Sequence, residues 1–148
     1  MKILFIGGTG NISMACTRLA LENKMEVWHL NRGKTNADTP RGVNTFTADI
    51  HDTEKVKNLV RDHYFDVVAN FISFVPSDVD NDFEIFGGKC DQYIYISSAS
   101  AYQKPPTHPV ITESTPLKNP YWQYSRDKIL SEEKLNKWYQ EKDFPVTI

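Results

Sequence analysis

The segment KILFIGGTGNIS, residues 2–13, constrains the fold more than any other stretch of the chain. It begins as an apolar run, residues 2–6, that stops at glycine, which reads as a buried strand. From Asn11 to about Asn23, Ile12, Ala15, Cys16, Leu19 and Ala20 recur at helical spacing. A strand that runs through glycines directly into a helix is half of a β-α-β unit, and the rest of the chain continues that rhythm. MEVWHL (25–30), VNTFTA (43–48), DVVANFI (66–72), QYIYIS (92–97) and FPVTI (144–148) read as further strands. DTEKVKNLVRDH (52–63) reads as a helix capped by Asp52, and residues 77–88 as a weaker one ending near Gly87 and Gly88. After a loop holding Pro105, Pro106, Pro109 and Pro116, the last helix is expected to start with Asn119 as cap and Pro120 in its first position, and to run to about Lys142. Strands alternating with helices require right-handed crossovers, so the expected fold is α/β, a doubly wound parallel sheet of about six strands.

The bulk numbers exclude several alternatives. A chain of 148 residues is one domain with room for a hydrophobic core, and 40% hydrophobic with 24% charged residues is an ordinary globular balance. A formal net charge of −2 supplies no basic footprint for nucleic acid. Its apolar runs fall short of a membrane span, and MKILFIGG is too short for a signal-peptide core. Cys16 and Cys90 lie far apart without metal-ligand spacing, which points to small packing residues in a reduced, cytoplasmic protein. His29, His51, His63 and His108 sit in different segments, are read as surface or strand-end packing, and imply no metal.

IGGTGNIS occupies the place where a Rossmann domain binds pyrophosphate. Gly7 and Gly10 allow a tight turn and close approach of phosphate, while Asn11 and Ile12 open a helix with free N–H groups and a positive dipole end. Ser13 stands where a third glycine is common and is small enough for close helix–strand packing. At the end of the second strand, 24 residues after Gly7, Asn31 replaces the acid that usually meets the adenosine ribose, and Arg32 follows. A neutral residue beside arginine suits a 2′-phosphate, which favours NADP over NAD; the competing reading is a solvated basic loop.

A second feature is Tyr124 with Lys128 four residues later, on one face of the last helix. A phenol beside an ammonium is an acid–base pair, because the positive charge favours phenolate. Given 7 tyrosines, roughly 0.6 such Tyr–Lys spacings arise by accident, so position must add weight. SSASAY supplies it, placing Ser98 just after the fifth strand and 26 residues before Tyr124.

With the glycine loop, ISSASAY and YSRDK together, the sequence resembles the extended short-chain dehydrogenase/reductase family, and within it the NAD-dependent epimerase/dehydratase group. The resemblance implies that Asp49 and Ile50 lie against the adenine and that Phe71 and Ile72 line the cofactor. It implies that Tyr124 is the acid/base, that Lys128 tunes it and holds the nicotinamide ribose, and that Ser98 bonds the same substrate oxygen. The implied substrate is nucleotide-sugar-like, and a homodimer is compatible. Because the chain stops inside an apolar strand, residues 1–148 are expected to be the NAD(P)-binding N-terminal part of a longer protein, truncated before the C-terminal substrate region and not fully active alone. The alternative is a non-enzymatic NADP-binding regulatory or RNA-associated protein on the same fold, which the Ser98, Tyr124 and Lys128 set argues against.

Overall fold

The computed structural model describes residues 1–34 and 39–148; residues 35–38 of the polar loop after the second strand lie outside the described residues. In chain order the elements are β1 Lys2–Ile6, α1 Asn11–Glu22, β2 Glu26–Asn31, β3 Val43–Thr47, α2 Thr53–Val60, β4 Phe65–Asn70, α3 Pro76–Phe86, β5 Cys90–Tyr95, α4 Gln123–Lys142 and β6 Val146–Thr147. A single 3₁₀ turn, Ala99–Ala101, follows β5. The strands form one sheet in the order β3-β2-β1-β4-β5-β6. Every adjacent pair is parallel.

That order reverses direction between β1 and β4, and a ligand crevice forms outside the carboxyl ends of the strands at such a reversal. The register levels those ends. Ile6 pairs with Leu30 on one side and Asn70 on the other, and Asn70 pairs with Tyr95. The segments leaving β1, β2, β4 and β5 therefore emerge side by side.

Strand alternation sends successive side chains to opposite faces. Leu4 and Ile6 join Val56 and Val60 of α2, Ile85 and Phe86 of α3, and Leu135 of α4 on one face. Ile3 and Phe5 join Ala20 of α1 and Val27 on the other. Cys90 is buried in the first cluster, and burial pushes its thiol up to about 12, which suits packing rather than reactivity.

Helix starts follow local chemistry. The Asp52 carboxylate accepts from the Lys55 N–H, as its position predicts. The start of α4 differs from expectation. It begins at Gln123 with Trp122 as cap, not at Asn119–Pro120. Asn119 is buried and committed elsewhere: its Nδ2 donates to the Ser100 carbonyl (2.8 Å) and its Oδ1 accepts from the Tyr121 N–H (3.1 Å). It forms a local turn that pins the preceding loop, and the helix starts only after that turn closes.

His29 on β2 is fully buried, with Nε2 2.8 Å from Thr17 Oγ1 on α1. Its Nδ1 has no partner among the described residues, and burial lowers its pKa to about 4. Between that value and the ordinary 6.5 the unfolded chain binds the extra proton, so this contribution is present above 6.5 and lost as pH falls. By about pH 5 the loss should reach about 2 kcal/mol. Urea unfolding across that range should show a smaller loss in His29→Gln, which keeps a polar partner for Thr17 but does not titrate; identical pH profiles would exclude His29 as the source.

Candidate cofactor and active site

The loop after β1 is shaped by contacts that only glycine permits. Gly7 has φ +78°, and a Cβ there would lie 2.5 Å from Ile72 Cγ2. A Cβ on Gly8 would lie equally close to the His29 ring, 2.5 Å away. Ser13 does more than save space. It is buried, its Oγ donates to the Gly7 carbonyl (2.7 Å) and accepts from the Gly10 N–H (2.9 Å), so it cross-links the turn from inside. The first intrahelical bond of α1 runs from Met14 N–H to the Gly10 carbonyl. The N–H groups of Asn11 and Ile12 precede it and keep the unsatisfied character of a helix N-terminus.

A cleft of about 350 Å³ opens beside this loop. It brings together Gly7, Gly10, Asn31, Arg32, Ile50 and Ile72, which come from four separate segments. Lys34, near Arg32 in the same basic loop, also lines it, as does Thr45, which sequence reasoning did not single out. Phe71 is turned to the other face of the sheet, where it meets Phe5 edge-on with centroids 5.8 Å apart. Asp49 is half-exposed beside the cleft-lining Ile50. Its Oδ1 accepts from the His51 backbone N–H (3.1 Å) and lies 2.8 Å from His51 Nδ1. These bonds hold the Asp49 carboxyl below the usual carboxylate range, the His51 backbone bond first. His51 Nε2 in turn lies 3.0 Å from Asp78, whose carboxylate accepts from the Phe74 and Val75 N–H groups at the start of α3.

On the far side of the switch point, Lys128 of α4 is buried, only 2% exposed. Its ammonium donates to the Ser73 carbonyl (2.7 Å) and the Ile96 carbonyl (2.8 Å), just beyond the ends of β4 and β5. Among the described residues this leaves one of its three N–H groups for a ligand. Burial lowers the Lys128 pKa to about 8, with the Glu132 and Asp78 charges opposing. Tyr124, one turn earlier on α4, is half-buried with its ring centroid 5.8 Å from Lys128 Nζ. Trp122 and Phe74 flank it, with ring centroids 4.8 and 6.3 Å away.

Ser98 caps the 3₁₀ turn. Its Oγ accepts from the Ser100 N–H (3.2 Å) and lies 2.9 Å from Ser100 Oγ. Two ties bring that turn to α4, and neither was legible in the motif. Asn119 bridges the Ser100 carbonyl and, at 3.3 Å, Ser125 Oγ. Ser97 donates to Glu132, one turn beyond Lys128.

The profile of the NAD dependent epimerase/dehydratase family matches residues 3–148. The chain belongs to that family. No curated protein matches this family member in sequence. Among solved structures, it is similar to the UDP-Glc/GlcNAc 4-epimerase from Campylobacter jejuni, with 24% identity and a TM-score of 0.83 over 98% of this chain and 51% of the other. The dTDP-glucose 4,6-dehydratase from Bacillus anthracis, in complex with NAD, shares 18% identity with a TM-score of 0.82, over 99% and 53% of the two chains. The UDP-glucuronic acid 4-epimerase from Bacillus cereus, in complex with NAD, shares 21% with a TM-score of 0.79, over 99% and 55%. This member of the epimerase/dehydratase family thus spans about half the length of those chains.

Gly7 supplies a test of the loop. Gly7→Ala combines left-handed strain with a clash against Ile72, and should weaken NADH binding by more than about tenfold in a fluorescence titration. Gly88→Ala carries the same sign of φ with nothing within 4 Å, so it should cost stability alone and leave NADH binding unchanged. Equal affinities for the two variants would show that the loop conformation does not shape the cofactor site.

Proposed function

We propose that this chain is the dinucleotide-binding part of an NAD(P)-dependent epimerase or dehydratase acting on a nucleotide-sugar-like substrate, with Tyr124 as its acid/base. The observation that carries the reading is the Lys128 ammonium held by the Ser73 and Ile96 carbonyls just past β4 and β5, with Tyr124 one turn away on α4 and the Ser98 turn tied to that helix through Asn119. The family match and the sugar-nucleotide 4-epimerase and 4,6-dehydratase neighbours accord with it. The free cysteines Cys16 and Cys90 accord with a reducing, cytoplasmic setting.

The residues present fit a dinucleotide. The Asn11 and Ile12 N–H groups at the α1 N-terminus offer donors and a positive dipole end to a pyrophosphate. Ile50 offers an apolar surface and Asp49 a carboxylate for the adenine side, while Ile72 closes the cleft floor against Gly7. Asn31, Arg32 and Lys34 give the ribose end a positive, non-acidic wall, which suits a 2′-phosphate and so NADP. Lys128 directs its remaining N–H to the nicotinamide ribose. Bound nicotinamide supplies the hydride acceptor and donor.

The proton chemistry belongs to the chain. Tyr124 takes the proton from a substrate hydroxyl, or returns it to a carbonyl, while Ser98 Oγ hydrogen-bonds the same oxygen. The Lys128 ammonium, held by two carbonyls, supplies a fixed positive charge on that side of the phenol. Trp122 and Phe74, themselves about half exposed, flank the ring.

Tyr124→Phe removes the proton carrier and little else. In the full-length protein turnover of a UDP- or dTDP-sugar panel should fall at least about a thousandfold, with NADH affinity within about twofold of the parent. Retained turnover would overturn the acid/base assignment; cofactor binding with no turnover by the parent protein across the panel would favour a regulatory protein instead.

Two further measurements separate the binding roles. Lys128 has a depressed pKa of about 8, so its charged form dominates below that value and is lost as pH rises through it. NADH affinity should therefore decline as pH passes about 8, and Lys128→Met should bind weakly at every pH with no such decline. A decline that persists in Lys128→Met would assign it to another group. Arg32→Ala should weaken NADPH by about tenfold and leave NADH nearly unchanged; equal effects on both would remove the case for NADP.

A further inference from the structure

A fully buried carboxylate takes no part in the scheme above. Asp82 of α3 is 0% exposed, and one of its oxygens, Oδ2, receives three hydrogen bonds. They come from Asn70 Nδ2 at 2.8 Å, Ser73 Oγ at 2.5 Å and Tyr93 OH at 2.6 Å. Its Oδ1 is buried with no partner among the described residues. A carboxylate in the core is costly, and a well-packed apolar residue would serve stability as well or better. The position thus calls for an explanation other than packing.

The donors point to one. Asn70 ends β4, and its Oδ1 accepts from the Ile72 and Ser73 N–H groups at 2.8 and 3.1 Å. The short turn after β4 is therefore gripped twice, by Asn70 at its backbone and by Asp82 at the Ser73 side chain. That turn carries two features of the candidate site: Ile72, packed against Gly7, and the Ser73 carbonyl, one of the two acceptors of the Lys128 ammonium.

We propose that Asp82 is a positioning residue: by holding the Ser73 hydroxyl from inside the core, it sets the Ser73 carbonyl that receives Lys128. Its action passes through the Ser73 backbone. The charged groups that act on Lys128 are Glu132, on its own helix, and Asp78, at the start of α3, with the Tyr95 and Tyr124 rings also facing it. Asp82 is not its counter-ion. Asn70 and Tyr93 complete the grip by supplying the other two donors, which offsets part of the cost of burying the carboxyl. The inference rests on the reading of Lys128 as the ribose-side ammonium only for its functional consequence; the positional link stands on the bond chain itself.

The test follows the Lys128 side chain directly. Chain labelled with ¹³C at lysine Cε, with the Lys128 signal assigned by its absence in Lys128→Met, reports the Lys128 titration by NMR alongside NADH affinity by fluorescence. Ser73→Ala removes the hydroxyl and keeps the carbonyl. It should move the Lys128 midpoint by about half a pH unit or more and weaken NADH on the order of tenfold, with far-UV circular dichroism unchanged. Asp82→Ala should do the same, and Asp82→Asn, which retains an acceptor oxygen, should recover most of the lost affinity. An unmoved Lys128 midpoint in folded Ser73→Ala overturns the proposal, and this variant decides the matter if Asp82→Ala does not fold. A moved midpoint in Ser73→Ala with full NADH affinity in Lys128→Met would uphold the positional link and overturn the cofactor role of Lys128.

Discussion

The burial of the Lys128 ammonium is the constraint around which the site is organised. A cation placed among apolar residues must be met by oriented acceptors, and here these are two backbone carbonyls just past neighbouring parallel strands. The Ile96 carbonyl directly follows β5 and the Ser73 carbonyl sits in the turn that Asn70 and Asp82 hold, so α4 is keyed to the β4 and β5 ends. Tyr124, on the same helix one turn away, takes its place from that key. The Tyr95 ring, its centroid 4.4 Å from Nζ, closes one side of the ammonium and adds a cation–π contact.

The opposite wall of the crevice is built by steric exclusion rather than by charge. Gly7 and Gly8 are closed in by Ile72 and His29, one from β4's turn and one from β2, so neither position has room for a side chain. Ser13 then stitches the turn to α1 by hydrogen bonds that a glycine could not make. The departure from a three-glycine pattern is thus compensated by a side chain that performs the packing and adds two bonds. His29 is kept neutral in this arrangement by its burial beneath the loop.

What was legible in the sequence was whatever local spacing determines. The strand–glycine–helix unit and the parallel sheet follow from period, and both stand in the structure; Tyr124 and Lys128 share a helix, as their offset requires. Asn119 was misread because Asn-Pro has two local uses, and the choice between helix cap and turn is made by the Ser100 carbonyl, far upstream. Three aspartates of α3 look alike in PSDVDND (76–82), yet their duties differ. Asp78 caps the helix, Asp80 pairs with Lys134 at 2.7 Å in solvent, and Asp82 enters the core. The available signal was phase: Val79, Asp82, Phe83 and Phe86 share one helical stripe, so a carboxylate sat on the apolar face. The bonds from Ser73, Asn119 and Glu132 escape such reasoning because they join segments whose proximity exists only after the sheet has formed.

A crystal structure of this chain with NADH bound would test the account most directly. The account predicts pyrophosphate at the Gly7–Ile12 loop, adenine beside Ile50 and the nicotinamide ribose within hydrogen-bonding distance of Lys128 Nζ, with the Ser73 and Ile96 bonds to that ammonium intact. Cofactor bound away from the β1–β4 switch point, or a Lys128 side chain withdrawn from both carbonyls, would contradict it.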